Sequence, residues 1–193
     1  MTRLLTLLTE IRACRRCEDL PLGPRPVLRA TTSARLLIIG QAPGTRVHAS
    51  GVPWDDASGD RLRGWLGLER DAFYDDSRIA IVPMGLCYPG KGASGDLPPR
   101  PECAPAWQPK LFPLLRNVRL TLLVGAYAQA RMLGAAQKAT LTETVRAFRE
   151  YLPTWVALPH PSPRNAIWRK KNEWFERDVV PIVRVIAAQA LAS

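Results

Sequence analysis

The chain is short of acidic residues, has almost no histidine, and contains no long apolar run. Across 193 residues, 17 Asp and Glu face 27 Lys and Arg, a net charge of +10 with a pI near 10.1. That deficit of acid favours a polyanionic partner, nucleic acid first; the plain alternative is a merely basic soluble protein. No apolar stretch approaches the ~20 residues that cross a bilayer, which excludes a membrane-spanning protein. The N-terminal MTRLLTLLTEIRAC is no signal peptide, because its apolar run is short and broken by Glu10 and Arg12. Leu4, Leu5, Leu8 and Ile11 instead share one face of an amphipathic helix. A cytosolic protein is therefore expected, in which four cysteines are not structural disulfides. There is no internal repeat or low-complexity segment, and 47% of residues are apolar. This supports one globular domain over residues 1–193, expected to be monomeric.

What is present is an alternation. Four short, nearly continuous apolar runs are Ala34–Ile39, Ile79–Met84, Leu120–Val124 and Trp155–Leu158. Such runs suit parallel strands buried on both faces. Helical patterns lie between and after them: Arg61–Leu68, Ala104–Leu115, Gly125–Leu133, Leu141–Tyr151 with a Thr140/Glu143 capping box, and a last helix from about Glu173. The expected fold is α/β, a three-layer α/β/α sandwich around a four-stranded parallel sheet. The Gly/Pro-rich segments Pro21–Pro26 and Pro89–Pro101 read as surface excursions. Ligands bind outside the carboxyl ends of such strands. There the chain places three Gly/Pro-rich turns: GQAPG (Gly40–Gly44), GLCYPG (Gly85–Gly90) and PHPSPRN (Pro159–Asn165). The last wedges one of two histidines, His160, between Pro159 and Pro161, and proline fixes the backbone on either side.

Cys14 and Cys17 form a Cys-x-x-Cys pair, and Cys87 and Cys103 complete a set of four with no spare. In a cytosolic chain such a set suits zinc or an iron–sulfur centre; spacing does not separate the two. The plain alternative is four packed, unligated cysteines.

Taken together, these residues resemble the uracil-DNA glycosylase superfamily, closest to its iron–sulfur branch (family 4) with features of family 5. The cysteine pattern is similar to that branch's [4Fe–4S] ligand set, which implies a structural cluster on Cys14, Cys17, Cys87 and Cys103, with zinc as the runner-up. GQAPG looks like the first motif, usually GEAPG. Gly51-Val52-Pro53-Trp54 stands where the family has Gly-x-Pro-Phe, and HPSPRN looks like the second motif. The resemblance implies a monofunctional DNA glycosylase of base excision repair, acting in the bacterial cytosol or nucleoid on DNA with a deaminated base. A flipped base would stack on Trp54 and be bordered by Gly40, Gln41, Ala42, Met84 and Gly85. His160 would donate to the departing base. Ser162, Arg164 and Asn165 would meet the DNA strand. The alternatives are a core tryptophan at Trp54 and a solvated cation at Arg164.

The chain also departs from that pattern. Gln41 replaces the acid of GEAPG, and Val47 and His48 replace a second acidic pair. The segment WDDASG resembles family 5's FTGD-x-SG and places Asp56 on that branch's catalytic aspartate, with Asp55 as neighbour or substitute. The plain alternative is that Asp56 only caps a helix beginning near Ser58. His48 is a further candidate to act on water or sugar, against an idle loop histidine. Pro83 occupies the place of family 4's uracil-reading asparagine, which implies relaxed specificity extending to xanthine or hypoxanthine, with backbone groups of Met84–Leu86 reading the base edge. The five lysines lie outside the motifs, so a Schiff-base lyase is not indicated. Two further readings remain: a DNA-binding, lesion-sensing iron–sulfur protein without turnover, and a metal or redox protein built on the four cysteines.

Overall fold

The four apolar runs become a single parallel sheet. The computed structural model describes residues 2–93 and 95–192. Its strands are β1 (Leu36–Ile39), β2 (Ile79–Ile81), β3 (Lys91–Gly92), β4 (Gly95–Asp96), β5 (Leu120–Val124) and β6 (Trp155–Leu158). The main sheet has the order β2-β1-β5-β6, parallel throughout, and β3 and β4 form a separate antiparallel hairpin. The helices are α1 (Arg3–Arg12), α2 (Thr45–Ser50), α3 (Ala57–Leu66), α4 (Arg70–Phe73), α5 (Cys103–Leu111), α6 (Ala126–Leu133), α7 (Leu141–Arg146), α8 (Ala166–Lys171) and α9 (Val180–Leu191).

The two-residue period of a strand divides the sheet between two cores. Leu36, Ile38, Ile79, Ile81, Leu122 and Val156 pack on one face with residues of α3, α7 and α9. Leu37, Ile39, Ala80, Leu123 and Ala157 pack on the other with α1, α5 and α6. This is the three-layer α/β/α sandwich that the sequence leads one to expect. Phe73 and Phe175 are fully buried in the first core, and each contributes about 1.5–3 kcal/mol by leaving water.

Several elements differ from the sequence reading. The second strand ends at Ile81, although the amides of Val82 and Met84 still donate to the Ile38 and Gly40 carbonyls beyond it. The third helix pattern ends at Leu111 and tightens into a 3₁₀ turn over Phe112–Leu114, and α7 gives way to another at Phe148–Tyr151. The last helix opens with a π turn, Phe175–Val179, ahead of Pro181, whose missing amide breaks the regular ladder. The segment expected to be a plain surface loop, Pro89–Pro101, carries the β3–β4 hairpin.

The sheet runs from β1 to β2 in one direction and from β1 to β5 and β6 in the other, so its switch point lies between β1 and β5. Past that point the carboxyl ends of β5 and β6 are tied by Gln129 of α6. Its side chain is fully buried and donates from Nε2 to the Leu158 carbonyl at 2.8 Å and the Leu123 carbonyl at 3.4 Å. Gln129→Leu removes both donors inside the core. It is expected to lower unfolding free energy by about 1–3 kcal/mol, measured by urea denaturation.

Candidate active site

A cleft of about 480 Å³ opens at the carboxyl ends of the strands. It is lined by the GQAPG turn, Pro53, Trp54, Asp56, Pro83, the hairpin residues Gly95 and Asp96, and His160, Ser162, Arg164 and Asn165. Two of the three Gly/Pro-rich turns singled out in sequence, GQAPG and PHPSPRN, therefore converge, joined by a hairpin that was not; the third, Gly85–Gly90, does not line the cleft.

Trp54 is held in an unusual backbone conformation, with φ at +59°, and it is the only non-glycine residue at positive φ among the described residues. Its neighbours leave it no other place. A Cβ on Gly40 would meet the indole at 2.7 Å, and one on Gly59 would fall 1.7 Å from the Trp54 carbonyl oxygen. Arg63 donates from Nη1 to that carbonyl at 3.2 Å, and the Tyr74 hydroxyl donates to the Pro53 carbonyl at 2.9 Å. Arg63 is itself buried. It pairs with Asp60 and lies over the rings of Phe73 and Tyr74. The indole comes to rest beside His160, the ring centres 5.6 Å apart at 34°.

The His160 turn is clamped from outside. Arg61 donates to the Pro161 carbonyl at 3.1 Å, Arg169 to the Ser162 carbonyl at 3.0 Å, and Asn165 to the His160 carbonyl at 2.8 Å. Gly125 lies against the His160 side chain at φ +90°, a backbone conformation that side chains rarely adopt, while a Cβ there would make only ordinary contact with His160 Cβ at 3.5 Å. The backbone amide of Ser162 donates to His160 Nδ1 at 3.2 Å. Nδ1 is thus an acceptor, and the proton of the neutral ring belongs on Nε2. Burial holds the histidine below its ordinary pKa, while the nearby Asp56 charge opposes that shift.

The two aspartates after Trp54 have different surroundings. Asp56 lines the cleft and is the N-cap of α3, its Oδ1 accepting from the Gly59 amide at 2.9 Å. Asp55 does not line the cleft. It pairs with Arg70 at 2.7 Å, and that hydrogen bond holds its carboxyl below the usual range. His48 is likewise outside: its Nδ1 is buried without a partner among the described residues, and its ring stands edge-on to Tyr88. Met84 and Gly85 also lie off the cleft. Their amides are spent on the carbonyls of Gly40 and Gln41 at 2.9 Å each, and the Leu86 amide is spent on Cys103 Sγ. The amides of Met84–Leu86 thus do not face a ligand in the cleft, which leaves them no part in reading a base edge. Asn165 turns inward to its own loop, whereas Arg164 is exposed.

Sequence reasoning missed Arg61, Arg63, Arg169 and Asp96. The arginines carry no local signal, since their partners are 100, 9 and 7 residues away. The glycines of KGASGD mark a hairpin and were the available clue to Asp96.

The four cysteines line a second, small cavity together with Arg16, Arg100 and Trp107. They come from the exit of α1, the loop after β2 and the start of α5. Burial pushes the thiols of Cys17, Cys87 and Cys103 up to about 11. Among the described residues no group of three or more candidate ligands stands as a ready metal site. The donor set nevertheless fits a thiolate-bound metal centre: four cysteines from three segments share one cavity.

The description "Uracil DNA glycosylase superfamily" matches residues 29–184. The chain belongs to that superfamily. Membership supports a DNA glycosylase-type function with DNA as the partner, and the matched span contains every residue of the cleft. The superfamily match begins after Cys14 and Cys17, so it does not bear on the first half of the cysteine set. Among the described residues no helix is long and apolar enough to cross a membrane.

With only two histidines in the chain, ring NMR titration isolates His160. Its pKa is expected below the ordinary histidine value, and Asp56→Asn, which removes the opposing charge, moves it lower still. The sign for stability follows. The unfolded chain takes up this proton at the ordinary value and the folded chain does not, so folding loses stability as pH falls below the ordinary histidine range.

Proposed function

We propose that the protein is a monofunctional DNA glycosylase of base excision repair. It hydrolyses the N-glycosidic bond of uracil, or of a related deaminated base such as xanthine or hypoxanthine, and leaves an abasic site. The observation that carries this reading is the Trp54 ring set beside His160 on one wall of the cleft. A flipped base requires a flat face to stack on and a donor beside its oxygen. Trp54 offers the first. His160, neutral and with its proton on Nε2, offers the second to a base that gains negative charge as it departs.

Asp56 is the carboxylate of the first motif region that faces the cleft, and its charge opposes the cation forming on the sugar. The cap and this role use different oxygens: Oδ1 holds the Gly59 amide, and Oδ2 has no hydrogen-bond partner among the described residues. No lysine lines the cleft, which agrees with hydrolysis and not with a Schiff-base lyase. Pro83 stands in the cleft wall with no side-chain donor or acceptor. This supports a site that discriminates weakly between deaminated bases. Arg164, with Lys170 and Lys171 just beyond it, all exposed, supplies the positive charge for the DNA backbone.

Cys14, Cys17, Cys87 and Cys103 would hold a [4Fe–4S] cluster, zinc being the second choice. Such a centre supplies a cross-link between the exit of α1, the loop after β2 and the start of α5. Anaerobically purified protein is expected to show iron–sulfur charge-transfer absorbance with equal iron and labile sulfide, reduced in Cys14→Ser. Zinc without sulfide would replace the cluster by a zinc site.

A second reading, a lesion-sensing protein without turnover, draws on Gln41 in the place of the first-motif acid. Single-turnover excision from duplexes carrying uracil, xanthine or hypoxanthine separates the two. His160→Ala and Asp56→Asn are each expected to slow excision by ~10²-fold or more, while Asp55→Asn, whose partner is the exposed Arg70, stays near wild type. Affinity for all three duplexes without excision of any base favours the sensing reading.

A further inference from the structure

We infer that Asp96 of the β3–β4 hairpin is a second catalytic carboxylate of this cleft, the one that takes the proton of the attacking water. The inference rests on the glycosylase reading above. Asp56 and Asp96 are the only carboxylates among the residues lining the cleft. A Cβ on Gly44 would come within 3.4 Å of Asp96 Oδ2. The carboxylate is therefore seated against the end of the GQAPG turn, beside the motif whose own side chains bring no acid. Asp96 has no hydrogen-bond or ion-pair partner among the described residues, although Arg46 and Arg164 line the same cleft.

The hairpin is fastened so as to hold it there. Gln41, in the position of the missing acid, donates from Nε2 to the carbonyl of Leu97, the residue after Asp96, at 3.3 Å. The Leu97 amide donates to the Gly90 carbonyl at 2.8 Å. The Arg164 guanidinium lies where a side chain at position 95 would be, so Gly95 lets the His160 loop and the hairpin close on each other. The residue that displaced the acid thus tethers the segment that brings one back.

The division of labour follows from the free oxygens. Asp56 gives Oδ1 to the α3 cap, whereas both oxygens of Asp96 are open. In the reaction the water oxygen bonds to the anomeric carbon as the carbon–nitrogen bond breaks. The electron pair of that bond leaves on the base, beside His160 Nε2. One water proton passes to Asp96 and from there to the released base, restoring the carboxylate.

The test is single-turnover excision by the full chain on duplexes with one uracil, xanthine or hypoxanthine, alongside fluorescence anisotropy on a duplex carrying an abasic analogue. Asp96→Asn is expected to slow excision by ~10²-fold or more, with DNA affinity and thermal midpoint unchanged. Asp96 is exposed, so the fold does not rest on it; Asp96→Ser serves as the second variant should the first fail to fold. Gln41→Ala is expected to slow the wild type but to add nothing in the Asp96→Asn background, because both act on one step. Excision by Asp96→Asn at the wild-type rate, or a loss of rate matched by a loss of DNA affinity, overturns the role of Asp96 while leaving the glycosylase reading intact. A wild-type protein that excises none of the three bases overturns both.

Discussion

A tryptophan at positive φ costs of order 1–3 kcal/mol and persists only where its surroundings over-determine it. Around Trp54 they do. Gly40 and Gly59 clear the space for its ring and its carbonyl, Arg63 binds that carbonyl, and Tyr74 binds the one before it. The cost of this conformation is met by the first core, into which Phe73 and Leu62 anchor the same segments. On the proposed reading the gain is an aromatic face that does not have to be ordered when a base arrives. Arg63 is central because it joins both halves. A buried guanidinium is costly to leave unpaired, so its bonds to Asp60 and the Trp54 carbonyl and its stacking on Phe73 and Tyr74 come as a unit.

The His160 turn is built by the same logic from different material. Two prolines limit its backbone, and its carbonyls are held by Arg61 and Arg169 from outside and by Asn165 at its own end. The Ser162 amide then fixes the tautomer of the ring. A neutral imidazole in a half-enclosed site stabilises a departing anion through a dipole that is already oriented, and that preorganisation spares reorganisation in the transition state. Asp56 is near enough to raise the ring's pKa against burial. The pair therefore balances: burial keeps the ring neutral, and the carboxylate preserves its readiness to donate.

The legibility of these features in the sequence tracks how local their causes are. β1, β5 and β6 could be read because parallel strands buried on both faces leave continuous apolar runs, and LLII, LTLLV and WVAL are such runs. The capping box of α7 could be read because its two members are three residues apart. The helices α2 and α8 could not, since each is six polar-rich residues held by the elements around it. WDDASG put Asp56 first by its likeness to family 5, with Asp55 as neighbour or substitute. The tertiary pairing of Asp55 with Arg70 separates them, and no spacing announces that pairing. His48, only a further candidate beside the motif histidine His160, lies against Tyr88. The hairpin was hidden in a loop because its strands are two residues each, too short for any periodicity to register.

The charges of the molecule have two ranges and two signs. The net +10 acts at the scale of the Debye length, ~8 Å at physiological salt, and favours a polyanion. In the cleft, Asp56 and Asp96 stand in the same lining as Arg46 and Arg164. On the proposed reading the arginines would hold phosphate, while the carboxylates would stabilise a nucleoside that becomes cationic as it loses an anionic base. Salt weakens the long-range attraction strongly and short-range contacts less. On that reading capture of DNA and cleavage of the bond answer to different electrostatics, and a chain poor in acid keeps two carboxylates where they would act on the sugar.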